Sequence, residues 1–318
     1  VQGLLGLAEV ARASAERARA RSLYRQVADQ QADAVWKVRA LQELSDMAAE
    51  DGDARTAVEL SRELVGALPP GHISAPEARL ALIGALTQTN ALDEALKLCD
   101  DAITAAPNSE AAATARVVCA EVRERSGDWQ SAMTTYELVL RSRPADDVVT
   151  DAALGIARAA MALARPDDAL SPLEQALETI QVPALRLPLL TMQMRALERL
   201  DRPVALSAAR AERDALAEQI PEIAWLSFIE SAGQARTEGR SENAVSNLQQ
   251  ALRLPITNRQ RATVLVELGA ALVDLSNLEE GRVQFELALE AVESDSPEAF
   301  YAGMGLAEIE RRYGRPRI

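Results

Sequence analysis

The residues able to do chemistry in this chain are few, and they are badly placed for it. Acidic doublets occur at Asp100-Asp101, Asp146-Asp147, Asp167-Asp168 and Glu279-Glu280. Two carboxylates work as general acid and general base only when their surroundings push their pKa values apart. These doublets fall near helix starts or on exposed faces, where negative charge meets the positive end of the helix dipole. His72 is the only histidine and sits in a loop, with no second imidazole to share a metal. Cys99 and Cys119, the only cysteines, fall on core positions of consecutive helices. That placement reads as two buried free thiols acting as small hydrophobes, with a disulfide as the alternative. No nucleophile elbow, Gly-rich phosphate loop or metal-spaced Cys/His set is present. The sequence predicts a non-catalytic protein with no metal and no cofactor.

The remaining candidates are surface residues. One apolar row recurs along the chain at Leu5, Leu80, Val117, Leu154, Leu190, Ile229, Val266 and Met304, broken only by Gln42. It is densest where Leu154, Met161, Leu187, Leu190, Met194 and Leu197 gather. Leu and Met together suit an adaptable groove for an amphipathic helix or an extended segment. With Arg158 and Ile229, these six residues make the candidate partner-binding groove. A tighter winding, or a register one residue off, would instead make the row plain core. The bordering charges carry an acidic excess, Asp46, Glu50, Glu121, Glu124, Glu267 and Asp274 against Arg125, Arg158 and Arg236. A partner with basic flanks is therefore favoured on encounter.

Short helices joined by tight turns must carry this row. In 265–288, Leu265, Leu268, Gly269 and Leu272 share one helical face, and Gly281, Phe285 and Ala288 share another. One small residue marks the second helix of each pair: Ala20, Ala57, Ala95, Ala132, Ala169, Ala205, Ala244 and Gly281. Successive differences are 37, 38, 37, 37, 36, 39 and 37. Four residues on come Tyr24, Ser61, Cys99, Tyr136, Leu173, Ala209, Leu248 and Phe285; three further on, Ser61 is joined as a poor seam match by Glu212. Gly52-Asp53, Gly127-Asp128, Gly239-Arg240, Ser276-Asn277 and Asn90 sit at the expected turns. Pro69, Pro107, Pro144 and Pro255 close second helices, whereas Pro166 and Pro203 open them.

This pattern resembles the tetratricopeptide repeat (TPR) family, whose unit is about 34 residues; the units here are longer by roughly three. The resemblance covers nearly the whole chain. It implies an all-α, right-handed superhelical solenoid of helix–turn–helix repeats, eight pairs plus one helix. Leading helices would line a concave groove and second helices the outer wall. It also implies a scaffold that binds a protein or peptide partner, with self-association as a further option. Chaperone-binding members hold a C-terminal carboxylate with Lys and Asn on the groove face. The matching pairs here, Gln42/Asp46, Val117/Glu121 and Leu154/Arg158 among them, are never Lys/Asn, so capture of such tails is not expected.

Composition narrows the partner. A net charge of −14 argues against nucleic acid, whose binding depends on cations neutralising phosphates. It argues equally against an anionic membrane surface, and no apolar run approaches the ~20 residues of a membrane span. Aromatics make up only 3%, so helix packing must rest on Ala and Leu. Residues 1–318 read as one solenoid domain without an internal linker. Gly314-Arg315-Pro316 looks like Ala164-Arg165-Pro166, where a second helix follows, so a piece of a longer bacterial protein is expected. Two cysteines leave cytoplasm and periplasm both open. Two more specific roles fit: a periplasmic scaffold arm in envelope assembly or polysaccharide export, and the regulatory arm of a larger signalling or transcription protein.

Overall fold

The computed structural model describes residues 1–30, 34–68, 72, 74–105 and 110–313. Pro69, Pro107 and the Gly314-Arg315-Pro316 segment lie outside the described residues. Every element among those described is helical. The first are α1 (Gln2–Ala13), α2 (Arg17–Asp29), α3 (Ala34–Glu50), α4 (Ala54–Ala67), α5 (Ala75–Gln88) and α6 (Leu92–Ala105). Next come α7 (Glu110–Arg125), α8 (Trp129–Arg141), α9 (Asp146–Ala162), a 3-10 turn (Pro166–Ala169), α10 (Leu170–Thr179) and α11 (Pro183–Arg199). The last are α12 (Pro203–Ala217), α13 (Pro221–Thr237), α14 (Ser241–Arg253), α15 (Asn258–Asp274), α16 (Leu278–Ala291) and α17 (Pro297–Arg312). The order is eight leading/second-helix pairs followed by one leading helix. The helices group into two compact units, Val1–Ala169 and Leu170–Ile318.

Each of the first eight leading helices stops in the same way. A residue in the left-handed region follows it: Ala15, Gly52, Asn90, Gly127, Ala164, Asp201, Gly239 and Ser276, with φ between 51° and 82°. The next residue's N–H reaches the carbonyl five back, as in Glu16 to Ala11, Asp53 to Ala48, Arg202 to Leu197 and Asn277 to Leu272, at 2.9–3.0 Å. This 6→1 bond satisfies carbonyls that a helix end leaves orphaned. Glycine takes the positive φ at three of the turns without a Cβ penalty. The new helix is then capped where the sequence permits: Asp53 accepts from the Thr56 N–H and Asp128 from the Ser131 N–H, each at 3.1 Å.

Left-handed residues recur every 37 or 38 positions, 37, 38, 37, 37, 37, 38 and 37 in turn. This count corrects the sixth unit. Five residues after the turn stands the fourth residue of each second helix: Ala20, Ala57, Ala95, Ala132, Ala169, Leu206, Ala244 and Gly281. Ala205 is exposed rather than buried, and Glu212 is exposed too. The seam there is built from Ala209, Arg213 and Leu216, at 6%, 3% and 8% exposure. The helix face turns by about 100° per residue, so a slip of one position swaps seam for surface.

The other seams hold. Tyr24, Ser61, Cys99, Tyr136, Leu173, Leu248 and Phe285 are all buried. Ser61 belongs there because its hydroxyl meets that of Ser45 at 2.8 Å, which removes the cost of burying either alone. Close approach explains two glycines. A Cβ at Gly269 would stand 2.8 Å from the Phe285 ring, and one at Gly155 would overlap the ring of Tyr136. Within the first unit, Cys99 of α6 and Cys119 of α7 are joined as a disulfide, with Cα atoms 5.5 Å apart. The expectation of free thiols is corrected: both sulfurs are buried, but they face each other.

Candidate functional site

The face a partner could touch is set by the seam register. Twelve residues before the fourth position of each second helix lies a buried leading-helix residue: Ala8, Ser45, Ile83, Ala120, Ala157, Met194, Ala232 or Gly269. Three residues earlier is the recurring row, Leu5, Gln42, Leu80, Val117, Leu154, Thr191, Ile229 and Val266. In α11 the row therefore passes through Thr191, not Leu190. Leu187, Leu190, Met194 and Leu197 are 2%, 0%, 5% and 3% exposed and form the core face of α11. None of the four presents a side chain to a partner. This is the core alternative left open by the sequence, and a one-residue slip accounts for it. Leu154, Arg158, Met161 and Ile229 remain half-buried. Met304 continues the row in α17: that helix ends at Arg312, eight residues on, as α15 ends at Asp274, eight residues after Val266.

In the first unit the row is flanked by carboxylates. Arg158 pairs with Glu124 at 3.2 Å and reaches the Tyr136 hydroxyl at 3.4 Å. Burial pushes the Glu121 carboxyl up from its ordinary value, against the pull of Arg158. Asp151 is raised by burial and by Asp147, and Asp46 by burial and by Glu43. Arg12 of α1 clamps two carboxylates of α3, Glu43 and Glu50, the latter at 2.7 Å.

In the second unit the same clamp recurs: Arg236 of α13 holds Glu267 at 3.1 Å and Asp274 at 2.8 Å, both on α15. Beyond it, between α15 and α17, lies an open cleft of about 480 Å³. Thr263, Val266 and Ala270 form one wall, and Tyr301 and Met304 the other, with Phe285 at the base. Phe285 reaches its place at the base because Gly305 has no side chain; a Cβ there would run into the ring. Tyr301 and Met304 are 58% and 55% exposed, although apolar. Glu267 and Glu298 supply the acidic rim. Glu298 takes Arg259 at 2.8 Å, while its other oxygen is buried and has no hydrogen-bond partner. Sequence reading identified Val266, Glu267 and Met304 but missed Tyr301, Gly305 and Glu298. The adjacent aromatics Phe300 and Tyr301, in a chain so poor in aromatics, were the available signal.

Among the described residues, no group of three His, Cys, Asp or Glu side chains is placed to hold a metal. His72 accepts the Ser74 N–H at 3.2 Å, a turn contact. No helix among those described is long and apolar enough to cross a membrane.

No protein-family model matches the sequence. No curated protein matches it either. Solved structures do share the fold. The TPR-like repeats of a kinesin light chain from Podosopora anserina superpose with a TM-score of 0.50 at 18% identity, over 60% of this chain and 99% of theirs. The apo quorum sensor NprR from B. thuringiensis gives 0.57 at 10% identity, over 91% and 86%. At these identities the likeness is one of fold, and the fold is the TPR-like helical repeat expected from the sequence.

Proposed function

We propose that this chain is a non-catalytic scaffold that holds a polypeptide segment against its leading-helix face, and that the α15–α17 cleft is the main anchor point. The carrying observation is that cleft: exposed Tyr301 and Met304 beside Val266, rimmed by Glu267 and Glu298. Apolar surface kept open at a concave site, with a few directing polar groups, is the usual form of a recognition pocket. The occupant that fits is a short amphipathic segment, one apolar anchor with Lys or Arg on either side. Leu154, Arg158, Met161 and Ile229 supply half-buried contacts of the same kind within their own units. The structural neighbours, the apo form of a quorum sensor and the TPR-like repeats of a kinesin light chain, share the fold that such a surface needs.

Selection from a displayed peptide library against the purified chain tests this. Enriched peptides should carry an apolar residue flanked by basic ones and should lose binding to the Met304→Glu variant. Enrichment of acidic peptides, or binding indifferent to that substitution, would move the site elsewhere. The Cys99–Cys119 bond favours a second, narrower reading, a scaffold arm in an oxidising compartment such as the periplasm. The self-association option and the regulatory-arm reading gain no comparable observation.

A further inference from the structure

A second site lies at the turn end of the second unit, away from the α15–α17 cleft. The ends of α11 and α13 and the starts of α12 and α14 enclose an open cavity of about 530 Å³. Its charge is opposite to that of the chain. Arg199, Arg202, Arg210 and Arg240 line it, and Arg195 joins the cluster through Glu238 at 3.3 Å. Glu198, Asp201 and Glu238 line the same cavity. Among the lining residues themselves, four cations stand beside three anions, in a protein whose net charge is −14.

Donors there outnumber acceptors. Glu198 and Glu238, each 17% exposed, are shared among Arg195, Arg199, Arg210 and Arg240. Glu238 already accepts from Gln234 at 2.8 Å, and Glu198 lies 3.4 Å from the Asn243 amide. The Nε of Arg195 is left buried with no acceptor at all. A buried N–H without an acceptor is destabilising, so the cluster is short of oxygen atoms, not of positive charge. The other mapped cavities differ: that of α2 and α4 balances Arg21 and Arg25 against Asp51, Asp53, Glu59 and Glu63. The one between α14 and α16 is lined by Glu242 and Glu280 and by no Arg.

The geometry points to an oxyanion site, and we propose that Arg199, Arg210 and Arg240 bind a phosphoryl group there. Planar guanidinium forks match phosphate oxygens two at a time, and three groups converging on one cavity can surround a tetrahedral ligand. Arg199 and Arg210 keep their outward faces in solvent, at 46% and 42% exposure, so a ligand can reach them without unfolding anything. A phosphorylated side chain and a free inorganic phosphate present the same chemistry.

Isothermal titration of the whole chain with inorganic pyrophosphate and, separately, with O-phosphoserine amide tests the site at fixed ionic strength. One equivalent of pyrophosphate should bind, and the Arg199→Gln, Arg210→Gln double variant should bind at least tenfold more weakly. Arg141→Gln, a change on the exposed surface of α8, should bind as the parent does. Tighter binding of the phosphoserine probe than of pyrophosphate would assign the site to a modified polypeptide; the reverse would assign it to a free anion. Should the double variant lose helicity, arginine modification by phenylglyoxal in the parent replaces it. Pyrophosphate must then protect Arg199 and Arg210 but not Arg141. Heat no different from matched chloride, undiminished binding in the variant, or protection spread evenly over the arginines would overturn the proposal.

Discussion

Breaking the Cys99–Cys119 bond is the perturbation whose size follows most directly from the structure. The bond joins α6 to α7 and closes a loop with a sequence separation of 20 residues. A cross-link of that span removes chain entropy from the unfolded state worth about 3 kcal/mol at 25 °C. Both cysteines are fully buried, Cys99 on the seam of its hairpin and Cys119 on the next leading helix. Reduction therefore leaves two well-packed thiols, and the native state loses little beyond the link itself. In a helical array each hairpin is stabilised mainly by its neighbours, so the loss should concentrate around α6 and α7. The assay is urea unfolding of protein that has been denatured, refolded with or without reductant, and checked for free thiols by alkylation and mass spectrometry. The expected result is a midpoint shift corresponding to about 3 kcal/mol, with faster amide exchange in α6 and α7 than in α3 and α4. Identical midpoints with both thiols shown to be free would refute the reasoning, as would alkylation of both cysteines before any reductant is added.

Leu190→Ala should destabilise by about 2–5 kcal/mol, because a fully buried side chain leaves a cavity, whereas Met304→Ala should stay within about 0.5 kcal/mol. Denaturant titration separates them, and a neutral Leu190→Ala would return that residue to the surface. Glu238 gives the pH prediction: burial raises its carboxyl, but hydrogen bonds from Gln234 and Arg240 and the charges of Arg240 and Arg195 outweigh this, taking it down to about 2. A depressed folded-state value means its stabilising contribution is present above the unfolded value of about 4.3 and is lost as pH falls towards 2. Glu238→Gln should therefore flatten the melting temperature between those limits; an acid limb as steep as the parent's would show that other carboxylates set it.

How far the sequence could be read depends on contrast. The repeat was legible because a small residue at the fourth position of each second helix stands out when its neighbours are large or charged, as Ala57 and Ala132 do. In α12 that contrast fails: Ala205, Ala208 and Ala209 follow one another closely, and any of them can be fitted to the count. The residue that breaks the tie is Arg213, which composition alone places on the surface. Its guanidinium is buried because Asp214 takes two of its N–H groups at 2.8 and 3.1 Å, Asn247 a third at 2.9 Å, and the Phe228 ring lies 4.5 Å away. Two of those partners come from α13 and α14, so no local periodicity could announce them. Burial still pulls the Arg213 guanidinium below its ordinary value against Asp214, the mark of a charge tolerated rather than favoured.

One error carried the others with it. Placing the seam at Ala205 and Glu212 turned α11 by one residue as well, and its core face, Leu187 through Leu197, became a groove. Asp201 held the missing information: its left-handed turn sits 37 residues after Ala164 and 38 before Gly239, but only Gly and Asn announce such turns reliably in a sequence. The disulfide had a readable sign too. Phe285 packs on Gly305, twenty residues later on the next leading helix, and Cys99 stands at the equivalent seam position with Cys119 twenty residues on. Register between hairpins, once known, brings those two sulfurs together, which is why the spacing of one hairpin alone left them as separate thiols.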